Sequence, residues 1–202
     1  ELARLINATT PGAIAREAAK LGSLLVHYST DYVFDGSGSE PRDETAPTAP
    51  LSVYGSTKLE GEQLIQASGC PHLILRTSWV FGARGGNFAK TMLKLAAERE
   101  ALKVINDQVG APTGADLLAD VTAHAIRGIQ ARPELSGLYH MVAGGQTTWY
   151  DYARFVIEWA RAKGVAIKGD PGALSPVPTT EYPTPARRPL NSRLNTTKLQ
   201  QA

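Results

Sequence analysis

Short continuous apolar runs and stretches of helical period alternate along this chain, and that alternation confines it to an α/β architecture. Leu24-Leu25-Val26-His27-Tyr28 is the first such run, and similar ones cover 73–80, 102–105 and 138–142. A strand that is apolar at successive positions is buried on both faces, as inside a parallel sheet. Helices are expected between the runs. Thr10-Pro11-Gly12 supplies an N-cap and a proline at the first position of a helix that stops near Gly22. Further helices are expected over 53–67, 88–97 and 115–129, and a last one, capped by Thr148, runs to Lys163. Strict alternation places helices on both faces of a doubly wound parallel sheet. Residues 35–50 read as a long polar loop, and the proline- and threonine-rich 170–189 as an extended segment packed on the main body.

Bulk properties exclude several function classes. A chain of 202 residues fits one domain, or one with a small appendage. A net charge of +2 argues against nucleic acid as the partner. Cys70 is the single cysteine, which rules out an internal disulfide and fits a reducing cytoplasm. No apolar run reaches the roughly 18 residues of a membrane span, so no membrane partner is expected. The chain opens on Glu1-Leu2-Ala3-Arg4 with no initiator methionine, and the expectation is that it starts inside a longer protein.

The strongest local signal is Tyr54-Gly55-Ser56-Thr57-Lys58. Residues four apart on a helix share a face, so the lysine ammonium can stand near the phenol. A tyrosine has a pKa of about 10, and a nearby cation lowers it toward the working range of an acid-base group. By itself such a pair is most often a solvated helix face. Here it is joined by Tyr28-Ser29-Thr30-Asp31 at the carboxyl end of the preceding expected strand, where doubly wound sheets bind ligands. A hydroxyl there can hydrogen-bond a substrate carbonyl beside the tyrosine that protonates it.

Thr30, Tyr54 and Lys58 resemble the hydroxyl-tyrosine-lysine triad of the short-chain dehydrogenases, and the flanking stretches resemble the dTDP-4-dehydrorhamnose reductases of the extended branch. Those stretches are Tyr28-Ser29-Thr30-Asp31-Tyr32-Val33-Phe34, Arg76-Thr77-Ser78-Trp79-Val80, Asn87-Phe88-Ala89-Lys90-Thr91-Met92-Leu93 and Val104-Ile105-Asn106-Asp107-Gln108. Gly110-Ala111-Pro112-Thr113-Gly114, Tyr182-Pro183-Thr184-Pro185-Ala186-Arg187-Arg188-Pro189 and Asn191-Ser192-Arg193-Leu194 continue the likeness through nearly the whole chain. The resemblance implies a partial Rossmann-like sheet over 1–106 carrying Tyr54 and Lys58. It implies that 107–202 is mainly an intertwined substrate-binding portion. It further implies reduction of the 4-keto group of dTDP-6-deoxy-L-lyxo-4-hexulose to dTDP-L-rhamnose by NADPH or NADH. Tyr54 would protonate the carbonyl oxygen, and Lys58 would lower its pKa and bond the nicotinamide ribose. Thr30 would bond the reacting oxygen or tune Tyr54, with Asp31, Trp79 and Asn87 about the sugar. Arg187, Arg188 and Arg193 cluster within seven positions, and their guanidinium forks suit the oxygens of a diphosphate, although a solvated basic segment is the equal alternative. A homodimer is the implied assembly. Asp116 matches a position that some relatives use at a magnesium-linked dimer contact, but a lone carboxylate at a helix start is ordinarily a dipole partner, and no metal is assigned.

Gly82-Ala83-Arg84-Gly85-Gly86 follows a strand and precedes a helix, as a dinucleotide fingerprint does, but its spacing is wrong, and it reads as a turn beside the sugar site. With no other glycine fingerprint in 1–202, the expectation is a chain without its amino-terminal cofactor-binding segment, inactive in isolation. The likeness also runs on past Ala202. Two alternatives stand: another nucleotide-sugar epimerase or reductase of the same family, or a non-catalytic regulatory subunit like that of methionine adenosyltransferase, against which Trp79 argues. His27 and His124 lie on apolar patterns and read as structural.

Overall fold

The computed structural model describes residues 1–169, 171–182 and 186–202. The chain opens with α1 (Leu2–Arg4), a π-helical turn over Leu5–Thr9 and α2 (Thr10–Leu21). Strand β1 (Leu25–Thr30) passes through a 3₁₀ turn, Asp31–Val33, and the long loop to α3 (Val53–Ala67). Next come β2 (His72–Thr77), β3 (Val80–Phe81), α4 (Phe88–Glu98) and β4 (Leu102–Ile105). The short strands β5 (Val109–Gly110) and β6 (Thr113–Gly114) precede α5 (Ala115–Ala131) and β7 (Gly137–His140). The chain ends with β8 (Thr147–Thr148), α6 (Trp149–Ala162), β9 (Leu174–Val177) and α7 (Thr197–Gln201).

β1, β2 and β7 form an all-parallel sheet in the order β1-β2-β7. One face packs on α2 and α3 through Ala15, Ile65, Cys70 and Ile74; the other packs on α5 through Leu73, Leu75, Leu118, Ile129 and Tyr139. Helices on both faces make this the expected doubly wound fragment. A second cluster joins α4, α6 and β4 through Met92, Val104 and Ala153, with Leu174 of β9 against it. The two clusters interleave along the sequence. α4 and β4 precede residue 106 and belong to the second, whereas α5 and β7 follow it and complete the main sheet.

Three local expectations need correction. Pro11 does not start a helix, because helical structure is already present from Leu2. The π turn immediately ahead widens the backbone where proline lacks an N–H and crowds the preceding turn. The strand expected over 73–80 stops at Thr77, because Trp79 takes a left-handed backbone (φ 50°) and Val80 pairs with Thr113 in a separate sheet. The third is one of detail: within the segment expected to lie extended on the main body, four residues form a regular strand, β9, which pairs parallel with β4. Asp170 and Pro183-Thr184-Pro185 of that segment and its motif lie outside the described residues.

What fixes α3 against the sheet is polar. Strand alternation turns Leu25, His27 and Ser29 toward α3, and Val26 and Tyr28 toward α5, where the Tyr28 hydroxyl meets Thr122 Oγ1 at 2.7 Å. On α3, Glu62 is 1% exposed and accepts a fork from Arg76 of β2, Nε to Oε1 at 2.9 Å and Nη2 to Oε2 at 2.6 Å. Ser29, opposite Arg76 in the β1–β2 register, donates to the same Oε1. Phe34 lies under the guanidinium, 5.1 Å from ring centroid to Cζ. The helix start comes equally close to β1's exit: a Cβ on Gly55 would stand 2.1 Å from the Tyr32 carbonyl oxygen. Only glycine permits that approach, and it sets Tyr54 beside the strand end.

Removing one partner from such a buried pair strands the other charge. Glu62→Gln is expected to lower stability by roughly 3–5 kcal/mol, read from urea unfolding. A loss below about 1 kcal/mol, the range of an exposed pair, would show that the pair is not the brace.

Candidate active site

Three elements end together. β1 delivers Thr30 and Asp31, β2 delivers Thr77, Ser78 and Trp79, and the first turn of α3 delivers Tyr54. They line a cleft of about 460 Å³, closed on its remaining side by Ala186 and Arg188. This is the carboxyl end of a parallel sheet, where the backbone stops pairing and side chains face outward.

The cleft is chemically unusual in its oxygens. Asp31 Oδ2, Thr77 Oγ1 and Ser78 Oγ are buried, and no hydrogen-bond partner meets them among the described residues. Buried polar atoms are nearly always paired, so three at one cleft mark a surface built for a polar ligand. Asp31 pays for this position: burial raises its pKa to about 6, against the pull of the Ser192 and Thr30 hydroxyls. Thr30 donates to Asp31 Oδ1 at 3.2 Å and accepts from the Tyr32 amide.

Tyr54 is half exposed, its ring set edge-on to Tyr32 with centroids 5.6 Å apart. Burial raises its pKa above the ordinary phenol value; the Thr30 hydroxyl opposes that shift and the Asp31 charge adds to it. The expected lowering by Lys58 is not what this arrangement produces. The Lys58 ammonium turns to β1, donating to the Tyr28 carbonyl at 2.6 Å and meeting His27 Nε2 at 3.1 Å. Desolvation lowers the Lys58 pKa while Glu62 raises it. Tyr54 is therefore held as the neutral phenol, which is the proton-donating form.

Trp79 forms the far wall. Its indole stacks on Trp149 of α6, centroids 3.6 Å apart and 14° between planes. It also lies so close to Gly110 that a Cβ there would come within 2.7 Å of Trp79 Cε2. A left-handed backbone at a bulky residue costs about 1–3 kcal/mol, and these contacts hold it. Trp149 is itself pinned, its Nε1 donating to Gln108 Oε1 at 3.1 Å, while Gln108 Nε2 donates to Thr179 Oγ1. Behind the stack lies a second hollow of about 280 Å³, walled by Phe88, Trp149 and Tyr182 with Lys103 and Arg188 at its edge. Arg188 borders both spaces.

Thr30, Asp31, Tyr54 and Trp79 are thus brought together as the sequence suggested. Lys58 is one turn away. Asn87 is not at the cleft: it caps α4, accepting from the Lys90 amide at 3.1 Å and donating to the Gly82 carbonyl at 2.8 Å. Arg187 is exposed and outside both linings, its place taken by Arg188. Arg193 reaches Gln146 instead, at 2.6 Å. The glycine turn presents the carbonyls of Ala83 and Gly85 to Lys90, the wrong polarity for an anion. Asp116 stands in the first turn of α5, and among the described residues no group of three or more His, Cys, Asp or Glu is placed to hold a metal. Nor is any helix among them long and apolar enough to cross a membrane. Thr77, Ser78, Gln108 and Trp149 went unrecognised as site residues. The available signal was a polar Thr-Ser pair ending an otherwise apolar strand.

The whole chain, residues 1–202, matches the family model described as RmlD substrate binding domain. It is 61% identical over 201 residues to dTDP-4-dehydrorhamnose reductase of Escherichia coli (strain K12), covering 100% of this chain and 67% of that protein. Among solved structures, a dTDP-4-dehydrorhamnose reductase from Clostridium acetobutylicum superposes with a TM-score of 0.85 at 38% identity, over 97% of this chain and 65% of that one. The enzyme of that name from Bacillus anthracis, in complex with NADP, gives 0.83 at 34% identity, over 96% and 65%. The chain therefore spans about two thirds of the length of the relatives it matches.

The raised Asp31 pKa has a stability consequence. The folded protein keeps this carboxyl protonated up to about pH 6, while an unfolded aspartate ionises near pH 4. Stability is lost as pH rises through that window, and the penalty persists above it. Asp31→Asn is expected to gain about 2–3 kcal/mol over the native protein at pH 7.5 and nothing at pH 4. Denaturation midpoints at the two pH values measure this, and an equal difference at both would reject the assignment.

Proposed function

This chain belongs to the RmlD substrate binding domain family, and we propose that it forms the sugar-binding and proton-donating part of a nucleotide-sugar 4-keto reductase. The substrate proposed is dTDP-6-deoxy-L-lyxo-4-hexulose, and the product dTDP-L-rhamnose. The observation that carries this reading is the set of three unpaired buried oxygens beside a neutral tyrosine. A deoxysugar brings hydroxyls for Asp31, Thr77 and Ser78, and an apolar face for Trp79. Its ketone oxygen, placed between Thr30 and Tyr54, would accept a hydrogen bond from the one and a proton from the other.

The rest of the substrate follows from the second hollow. Phe88, Trp149 and Tyr182 offer flat walls to a pyrimidine. Arg188, bordering both spaces, is set to meet the diphosphate between base and sugar. Of the clustered arginines it is this one, rather than Arg187, that borders the two spaces.

A reduced nicotinamide cofactor, NADPH or NADH, supplies the hydride when bound. The residues present fit its ribose end: Tyr54 and Lys58 lie one turn apart on α3 and present a phenol and an ammonium to ribose hydroxyls. They do not fit its diphosphate, since the glycine turn at 82–86 presents carbonyls. The buried thiol of Cys70 accords with a reducing cytoplasm as the place of reaction.

Tyr54→Phe deletes the proton donor and leaves the ring. 4-keto reduction by the variant is expected to fall roughly 10²–10⁴-fold, and wild-type turnover would end the assignment. Trp79→Ala is expected to raise KM for the sugar nucleotide far more than KM for the cofactor. Equal rises in steady-state kinetics would place Trp79 outside the sugar site. The 202-residue chain alone is expected to bind NADPH weakly and not to oxidise it, and micromolar binding by calorimetry would contradict that.

A further inference from the structure

Lys58 has a partner that neither the triad pattern nor the cleft accounts for. His27 projects from β1 toward α3, two residues before Ser29, on the strand face where Ser29 meets Glu62. Lys58 and Glu62 are four apart on α3, a rise of about 6 Å, which matches two strand residues, about 6.6 Å. The result is a two-rung ladder. His27 Nε2 faces Lys58 Nζ at 3.1 Å, and the Ser29 hydroxyl faces the Glu62 carboxylate.

We propose that His27 is a positioning residue for Lys58, holding its ammonium on the cofactor side of the catalytic helix without neutralising it. Lysine is a point charge on a flexible four-carbon stem and keeps one geometry only if acceptors fix it. Two do so here, the Tyr28 carbonyl at 2.6 Å and His27 Nε2 at 3.1 Å. They occupy two of the three ammonium N–H groups and leave the third for a ribose hydroxyl. A carboxylate at position 27 would fix the lysine equally well but would cancel its charge. An imidazole accepts through its lone pair and carries no charge, provided that its proton sits on Nδ1. Burial first, and the Lys58 charge second, hold the His27 pKa near 4, so the ring is neutral, and an ammonium donor facing Nε2 requires the lone pair there and the proton on Nδ1. The charged groups on the facing helix are Lys58, Glu60 and Glu62, of which Lys58 and Glu62 meet β1 while Glu60 pairs with Arg4. At neutral pH the ring thus remains an acceptor.

The kinetic part of this inference rests on the reductase reading, and the spectroscopic part does not. In the ligand-free protein, ¹⁵N spectra of the imidazoles should show His27 as the neutral Nδ1–H form down to about pH 5. Lys58→Met should raise its titration midpoint by about one unit. An unchanged midpoint would mean that the two side chains are not in contact, and would overturn the proposal whatever the enzyme does. In turnover, His27→Leu should raise KM for the cofactor about 10-fold, with a smaller change in KM for the sugar. His27→Gln, whose amide oxygen reaches the Nε2 position, should restore most of the loss. Equal damage from Leu and Gln, or none from Leu, would also overturn it. If neither the native protein nor any variant reduces the sugar, the imidazole titration alone decides the matter.

Discussion

The site depends on one buried ion pair. Glu62 on α3 and Arg76 on β2 meet where both are almost wholly excluded from solvent, and Ser29 on β1 completes the set. A buried pair of this kind contributes little net stability relative to a well-packed apolar alternative. Its value here is in register. A helix held on a sheet by Ile65 and Ala15 alone could slide by a fraction of a turn at small cost, because apolar contact is not directional. A forked guanidinium-carboxylate contact fixes direction as well as distance. That places the amino-terminal turn of α3, with Tyr54, against the exit of β1, with Thr30 and Asp31. The close approach at Gly55 then sets the remaining gap.

Legibility followed the range of the interactions. The bounds of α3 and β4 could be read directly, since Ser52 caps one and Gly-free apolar runs define the other. The triad residues were visible because their chemistry is local to a helical turn and a strand end. β9 was hidden because its four residues include Pro176 and its partner, β4, lies about seventy positions earlier. The break at Trp79 was hidden for a related reason: its backbone is set by Trp149 and Gly110, which no local pattern connects to it. Motif likeness could mark segments but not the placing of single side chains within them. Asn87 proved to be a helix cap, and of two adjacent arginines the second, not the first, faces the cleft.

Asn106-Asp107-Gln108 shows how a motif can serve a site without touching it. Asn106 accepts from Thr148, the cap of α6, at 2.8 Å, and Asp107 accepts from the amide and hydroxyl of Thr179. Gln108 joins Trp149 to Thr179. These bonds tie β4, α6 and the segment leading to Arg188 into one wall. Trp149 carries Trp79, so the position of that indole is decided by elements remote from the strand end that bears it.

The electrostatics of Tyr54 and Lys58 divide two tasks that sequence reasoning had merged. A phenol that is to donate a proton must hold it until the ketone oxygen gains charge. Burial and the nearby Asp31 charge keep it, with Thr30 as the opposing pull. A lysine placed to ionise that phenol in advance would work against donation, and Lys58 is not so placed, being engaged with Tyr28 and His27. Its contacts are with β1, and the shift of the phenol is set by burial, Thr30 and Asp31. Asp31 contributes to the same balance from the cleft. A carboxyl that changes charge near pH 6 stands beside the tyrosine, so the charge felt by the phenol depends on whether Asp31 is ionised. Asp31 ionises well below the phenol, so at neutral pH its carboxylate charge adds to burial in holding the proton on Tyr54.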